Sequence, residues 1–458
     1  MCGISGKLRF DKNPVSEGEL KSMTDAISHR GPNQFGIFCK ENIGFGFRRL
    51  SIIDLSQAGN QPMSDNEKKV WIIFNGEIYN FISLREELEK DGVQFRSKTD
   101  TEVIIYLYKK YGVSCLRKLR GMFAFAIWDE DKRQLFLARD RLGKKPLKYY
   151  RDQNVFIFAS ELKAILKNPE VKKEPDKASI ANYLSFQYVP SPETGFVNIK
   201  KLPPAHYCLV KESGEMEIKK YWDLDYREKW DLSETEWTEK IIDKLEESVK
   251  LRMTADVPLG AFLSGGTDSS AIVALMSRNS NRPVKTFSIG FKEETHNELP
   301  YAKITAEKFG TEHKEFIVTP NILEIIPKIA YYYEEPYADS SAIPSWYLAE
   351  MTKEHVTVAL NGDGGDENFA GYLRYKFYKL VNEHPTTAAL IGPLLAKILL
   401  KPKWRQEKAI KLIHELKKGS SIAEKYFPLI AYIDNYPNNA LELFRKKFSQ
   451  VSGNNFLD

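Results

Sequence analysis

Apolar residues are spaced in two different ways along this chain. From the start to about residue 210 they fall in strand-length runs, interrupted by two stretches of helical period. "VWIIFNGEIYN" (70–80) predicts a strand, and "FISLREELEKDG" (81–92) predicts an amphipathic helix closed by Gly92. "DTEVIIYLYKKYG" (100–112) reads as a second helix stopped by glycine, and "FAFAIWDEDKRQLFLARD" (123–140) as a hairpin turning at "DEDK". Strands apolar on both faces imply sheets stacked in layers under covering helices, an α+β sandwich.

Between about 189 and 235 the pattern breaks. "VPSPETGFVNIKKLPPAH" is rich in proline and "YWDLDYREKWD" is charged and aperiodic, which predicts an inter-domain connection here. Beyond it strands and helices alternate. Ser233 and Glu236 form a capping box, and Trp237, Ile241, Leu245 and Val249 then recur four apart. Strand "LGAFL" (259–263), helix "SSAIVALM" (269–276), strand "KTFSIGF" (285–291), helix "LPYAKITAEKFG" (299–310) and strand "HKEFIV" (313–318) follow. After further helical segments comes strand "HVTVAL" (355–360). Such a βαβ series predicts a parallel sheet with helices on both faces. Two domains are expected, 1–210 and 211–458, in keeping with a length of 458 residues.

Composition narrows the function classes. A formal charge of +5 is small for this length, so nothing points to nucleic acid or an anionic membrane. The most basic stretch, "KPKWRQEKAIKLIHELKK" (401–418), alternates charge with apolar positions as a solvated helix face does. No leader-like or membrane-spanning apolar run occurs. Cys2, Cys39, Cys115 and Cys208 are widely separated with no CxxC, which suits a reducing cytoplasm. The seven histidines are scattered and offer no metal-binding pair.

Two loops carry candidate chemistry. "LSGGTDSS" (263–270) joins a strand to a helix, where ligands bind in parallel sheets. Its glycines let backbone N–H groups approach an anion, and its serines sit at a helix N-terminus whose dipole favours phosphate. A glycine–serine turn is also a common structural device, and the strand–loop–helix context is what favours phosphate. "NGDGGDE" (361–367) follows another strand, so Asp363 and Asp366 converge on the same sheet edge as Asp268. Carboxylates beside a polyphosphate are a natural place for Mg²⁺, against the plainer reading of a solvated turn. At the other end, "MCGISG" puts a cysteine directly behind the first methionine, which alone is an odd residue more than a tool.

"LSGGTDSS" resembles the pyrophosphate loop of the PP-loop ATP pyrophosphatases. The chain as a whole resembles the glutamine-hydrolysing asparagine synthetases nearly end to end. The resemblance runs through "MCGISG", "HRGPNQFG" (29–36), "RRLSIIDLS" (48–56), "FNGEIYNF" (74–81), "DTEVI" (100–104), "GMFAFAIWD" (121–129) and "ARDRLGKKPL" (138–147). It continues through "VPLGAFLSGGTDSS", "TFSIGF", "YADSSAIP" (337–344) and "NGDGGDENFAGY" (361–372).

That resemblance implies a four-layer αββα N-terminal nucleophile domain, followed by an α/β parallel-sheet PP-loop synthetase domain. It implies loss of Met1, leaving Cys2 as nucleophile and its α-amine as built-in base; an α-amine with a pKa near 8 is partly neutral at pH 7. Asn75 and Gly76 would form the oxyanion hole. Arg49 would pair with the glutamine α-carboxylate beside Ile52 and Ile53, and Glu77 and Asp100 would hold its α-ammonium. ATP would lie on Leu263, Ser264, Gly265, Gly266, Asp268, Ser269, Ser270, Ile289, Asn361 and Gly362. Asp363 and Asp366 would serve the synthetase chemistry, with Asp268 and Asp366 as Mg²⁺ ligands. The substrates implied are glutamine, aspartate and ATP, and the products asparagine, glutamate, AMP and pyrophosphate. Ammonia would cross between the sites through an enclosed passage. A cytoplasmic homodimer, free of nucleic acid and membrane, is the family's expectation.

Some positions depart from the family's usual pattern: Asn33 stands where aspartate is common, Phe47 for histidine, Thr267 for leucine and Asn361 for serine. Asn361 exchanges a hydroxyl for an amide and is the one expected to alter nucleotide affinity. Family members continue beyond "SGNNFLD" (452–458) into a basic segment, so the synthetase half is expected to be incomplete. The alternatives are an amidotransferase acting on another acid, a glutaminase alone, or an ammonia-donor or sensor subunit.

Overall fold

The computed structural model describes residues 1–291, 297–384, 386–387 and 390–392. The basic stretch 401–418 and the final residues 452–458 lie outside the described residues. One antiparallel sheet contains β1 (Gly3–Arg9), β2 (Gln34–Lys40), β3 (Ile43–Arg49), β8 (Lys148–Arg151), β9 (Val155–Ala159) and β10 (Ile199–Lys201), ordered β10-β8-β9-β1-β3-β2. The other contains β4 (Met63–Ser64), β5 (Val70–Ile78), β6 (Gly121–Asp129), β7 (Gln134–Arg139), β11 (His206–Lys211) and β12 (Met216–Lys220), ordered β12-β11-β7-β6-β5-β4.

The two sheets face each other, and strand periodicity explains why their sequences lack polar alternation. Ile73, Ala124, Ala126 and Trp128 point inward onto Ile4, Leu8, Phe45 and Phe158 of the opposite sheet. Their neighbours Ile72, Phe74, Phe125 and Ile127 point outward, under α2 (Phe81–Lys90) and α3 (Asp100–Tyr111). On the far side, α1 (Glu17–Asp25) and α4 (Leu162–Ile165) cover Val155, Ile157 and Ala159 through Met23, Ile27 and Leu162. The result is the four-layer αββα arrangement. Both faces of each central strand are buried, so both faces are apolar.

The expected inter-domain connection is in part structured. β10, β11 and β12 all lie between 189 and 235, and β12 carries its sheet past the boundary expected at about 210. Proline-rich flanks hide these short strands, and the outermost pair mixes lysine and glutamate with its apolar residues, as edges do. The half with two expected helices also holds α1, α4 and α5 (Lys177–Phe186). The buried apolar residues of α1 are only Leu20 and Met23, too few to give a clear period.

In the second half, β13 (Leu259–Phe262), β14 (Lys285–Phe291), β15 (Glu312–Val318) and β16 (Val358–Leu360) form a parallel sheet ordered β15-β14-β13-β16. α6 (Glu234–Arg252), α7 (Thr267–Arg278) and α8 (Leu299–Phe309) bury Val249, Val273, Met276 and Ala302 against Ala261, Leu263 and Leu360. Both halves of the Ser233–Glu236 capping box are made, whereas Trp237 stays exposed and stacks on Trp230. α9 (Ile322–Tyr333) leads to α10 (Ala342–Thr352), which packs on β14 and β15, and α11 (Gly365–Phe369) and α12 (Leu373–Glu383) follow β16.

The two halves are joined by specific polar contacts. The Asp256 amide donates to Ile52 O at 2.9 Å, and its carboxylate accepts the Asp54 amide at 2.8 Å. Glu334, just past α9, accepts the amides of Leu162 and Lys163 and pairs with Lys148 at 3.1 Å. A buried carboxylate so fully met by donors is held in one orientation.

Candidate active sites

Cys2 precedes the first strand of the sandwich, at the mouth of a cavity of about 270 Å³. Its sulfur accepts the Leu50 amide at 3.4 Å and faces Leu50 O at 3.6 Å. Its carbonyl accepts Arg30 Nε at 2.9 Å, and Arg30 is held in turn by Glu161. Burial pushes the Cys2 thiol above its ordinary pKa. The nucleophile candidate is thus fixed at both its backbone and its sulfur.

Three neighbouring elements bring the other predicted residues to this cavity. Arg49 ends β3, Asn75 to Glu77 lie within β5, and Asp100 opens α3. Ile52 and Ile53 line the cavity as well. The guanidinium of Arg49 donates through Nη1 to Ser56 O at 3.0 Å and Asn60 Oδ1 at 3.1 Å and through Nη2 to Ile53 O and Asp54 O, so both ends of the fork are held within the protein. Gly59 is required beside it, since a Cβ there would collide with Arg49 Nη2. The Asn75 side chain is 1% exposed, and neither its oxygen nor its nitrogen has a protein partner. An unpartnered buried amide is costly, so one that lines a cavity is a ready site for a ligand's polar group.

Glu77 and Asp100 make an acidic wall. Burial, then the Asp100 charge, pushes the Glu77 carboxyl up to about 7. Burial pushes Asp100 up to about 6, although the Ile78 amide donates to its carboxylate at 2.9 Å. Two buried carboxyls sharing one cavity favour the arrival of a cation between them.

The second site is a cavity of about 660 Å³ at the carboxyl ends of β13 and β14. Leu263, Ser264, Gly266, Asp268 and Ser269 line it from the first loop, with Ile289 beside them. Asn361, Gly362, Asp363 and Asp366 line it from the second. Gly265 and Ser270 do not. Gly265 has φ +81° and packs against the backbone of Tyr301 and Ala302, whereas Ser270 Oγ bonds Thr305 Oγ1 at 3.0 Å. Ser264 and Ser269 bond each other at 2.9 Å, and Gly266 caps α7. Asn361 Nδ2 donates to Asp363 Oδ2 at 2.5 Å, so the amide that replaces the usual hydroxyl is already engaged.

A third cavity of about 380 Å³ lies between the two. It shares Glu77, Met122, Val358 and Ala359 with the cysteine cavity. With the cavity at the ends of β13 and β14 it shares Asp268 and the loop from Asn361 to Gly365. Nothing in the local pattern marks Met122, Val358 and Ala359: they are apolar strand residues, and only the docking of two sheets makes them a common wall. Lys145 was likewise invisible as a lining residue of the cysteine cavity.

Asp268 and Asp366 fit a Mg²⁺ held chiefly by substrate phosphates, because both face one cavity beside the glycine–serine loop. Among the described residues no three histidine, cysteine, aspartate or glutamate side chains converge on a metal position. Cys115 and Cys208 are buried among apolar side chains, and all four cysteines are free thiols. Among the described residues no helix is long and apolar enough to cross a membrane.

Comparison with known proteins adds the following. A pattern described as a glutamine amidotransferase domain matches residues 1–222, and one described as asparagine synthase matches 240–442. Glutamine-hydrolyzing asparagine synthetase 1 of Bacillus subtilis is 41% identical over 82% of this chain and 60% of its own length. A Methanocaldococcus jannaschii protein provisionally named glutamine-hydrolyzing asparagine synthetase 2 is also 41% identical, over 82% of this chain and 76% of its own length. The chain thus spans about three fifths to three quarters of these relatives. Among solved structures, glutamine phosphoribosylpyrophosphate amidotransferase of Bacillus subtilis matches with TM-score 0.37 and 16% identity, over 71% of this chain and 70% of that one.

Proposed function

The chain belongs to the family of glutamine-hydrolysing asparagine synthetases, and on that premise we propose that it hydrolyses glutamine at Cys2 and uses the ammonia to amidate aspartate at the expense of ATP. The observation that carries the reading is the run of shared walls from Cys2 to Asp268 through Glu77, Met122, Val358 and Ala359. Ammonia released into water becomes ammonium and stops being a nucleophile, so two distant half-reactions need such a connection.

In the first half-reaction, with Met1 removed, the Cys2 amine takes the thiol proton and the sulfur attacks the glutamine amide carbon. The oxyanion that forms meets the Asn75 side-chain amide and the Gly76 N–H; losing one such donor typically costs about 3–4 kcal/mol. The Arg49 charge attracts the substrate carboxylate, and Glu77 with Asp100 holds its ammonium. Nitrogen leaves as ammonia, and water releases glutamate from the thioester.

In the second, Ser264, Gly266 and Ser269 bind the phosphates of ATP at the start of α7, where the helix dipole favours them. Leu263 and Ile289 flank the base, and Asn361 with Gly362 closes on the nucleotide. Asp268 and Asp366 would hold Mg²⁺, which neutralises phosphate charge when bound. The aspartate β-carboxylate attacks the α-phosphorus and pyrophosphate departs; ammonia then attacks the acyl carbon and AMP departs.

The test combines intact mass with a product assay. We expect Met1 to be absent, a glutamine-analogue electrophile to label Cys2, and asparagine, AMP and pyrophosphate to form from glutamine, aspartate and ATP. Retained Met1 with no labelling would overturn the nucleophile assignment. Labelling without pyrophosphate release would leave a glutaminase in place of a synthetase.

A further inference from the structure

Lys145 lines the cysteine cavity and has no task in the reaction proposed above. It is 5% exposed, a rare position for a lysine. Its backbone is pinned by Asp140, whose carboxylate accepts the amides of Lys145 at 3.0 Å, Lys144 at 2.9 Å, and Leu142 and Phe123 at 3.1 Å each. Asp140 is therefore occupied by main-chain donors. Among the described residues the Lys145 ammonium makes no ion pair, and its contact is Met1 Sδ at 3.0 Å. The ammonium lies against the Met1 side chain in a cavity that Cys2 also lines, so removal of Met1 takes that contact away and leaves Lys145 and the new Cys2 amine on one cavity.

We propose that Lys145 is a positioning residue of the cysteine site: its ammonium disfavours a second positive charge on the processed Cys2 amine and so keeps that amine a proton acceptor for the thiol. The inference rests on the reading of Cys2 as nucleophile. The charged and titratable groups that face Lys145 are Arg30, Glu77, Cys2 and Asp140. Burial, then Arg30, brings the lysine down to about 8, so it remains charged at neutral pH. The amine now on Met1 is brought down to about 5, by burial first and then by Arg30 and Lys145 against the pull of Cys2. In the reaction the proton moves from Sγ to the amine nitrogen as the sulfur–carbon bond forms. The amine returns it to the departing nitrogen as the carbon–nitrogen bond breaks, giving ammonia.

The experiment follows Cys2 labelling by a glutamine-analogue electrophile across the neutral pH range, in the wild type and in K145M, K145Q and K145R. A like charge in the same cavity typically moves a titration by about one unit, so K145M and K145Q should shift the midpoint of the acid limb upward by about that much. Their labelling at slightly acid pH should fall several-fold while the alkaline plateau is kept, and K145R should restore the wild-type midpoint. A lowered plateau with an unmoved midpoint would mean that Lys145 only packs, and overturns the proposal. So does K145R behaving like K145M. A wild type that does not label fails at Cys2 itself, which is a different outcome and removes the premise.

Discussion

The Asp268 carboxylate fills the space beside Gly365, so that any Cβ at that glycine would collide with the carboxylate carbon and both its oxygens. The first loop of the parallel sheet and the second are thereby fitted to each other through one carboxylate and one missing side chain. Gly362 makes a similar approach to the backbone of Asp268 and Ser269.

Gly365→Ala should therefore displace Asp268 and weaken the nucleotide site without touching the cysteine site. Overpacking of this kind typically costs about 1–3 kcal/mol of stability, and the displaced carboxylate should raise the KM for ATP several-fold. Pyrophosphate exchange would measure it, with Cys2 labelling as the internal control. An unchanged KM would show that Asp268 does not help to seat ATP.

Glu77 makes stability depend on pH. Its folded pKa, about 7, lies above the ordinary 4.5, so the folded state holds its proton more tightly than the unfolded one. The stabilising contribution is complete below about pH 4.5 and is lost as pH rises through 7. Glu77→Gln cannot ionise, so it should match the wild type in urea unfolding at acid pH and exceed it by about 3 kcal/mol above pH 7. The glutamine KM of the wild type should fall over the same interval, because the substrate ammonium is held by the ionised acid.

Ala359 forms part of the wall common to the cysteine cavity and the middle cavity. Ala359→Leu should narrow that connection. Glutamine hydrolysis and synthesis from added ammonium salt should both persist, while asparagine formed per glutamine consumed drops several-fold. An unaltered ratio would exclude passage of ammonia along this wall.

The cysteine site was legible through the family resemblance, whose strings follow one another along the chain. By period alone "MCGISG", "FNGEIYN" and "DTEVI" read as a chain end, a strand and a helix, and only the resemblance singles out Cys2, Asn75 and Asp100 within them. The loops "LSGGTDSS" and "NGDGGDE" were legible from their own residues, glycines with serines or acids directly after a strand, although sequence could not separate the glycines that face the cavity from Gly265, which faces α8. Ser270 points the same way, to Thr305. One turn of backbone decides which of two adjacent serines a ligand meets, and hydrophobic spacing carries no record of it.

By itself the sequence determined the layered strands of the first half, the strand–helix alternation of the second and the glycine-rich loops between its elements, since these follow from period, capping and local composition over a few residues. The tertiary structure decided what lies between the sites. β10, β11 and β12 were hidden by proline and charge at a sheet edge, and they join the sandwich only through partners far away in sequence. Met122, Val358 and Ala359 are plain apolar strand residues until two sheets are docked through Asp256 and Glu334, and Lys145 is a plain basic residue until Asp140 turns its loop inward. Contacts between distant segments depend on the whole fold at once, so no window of the sequence contains them.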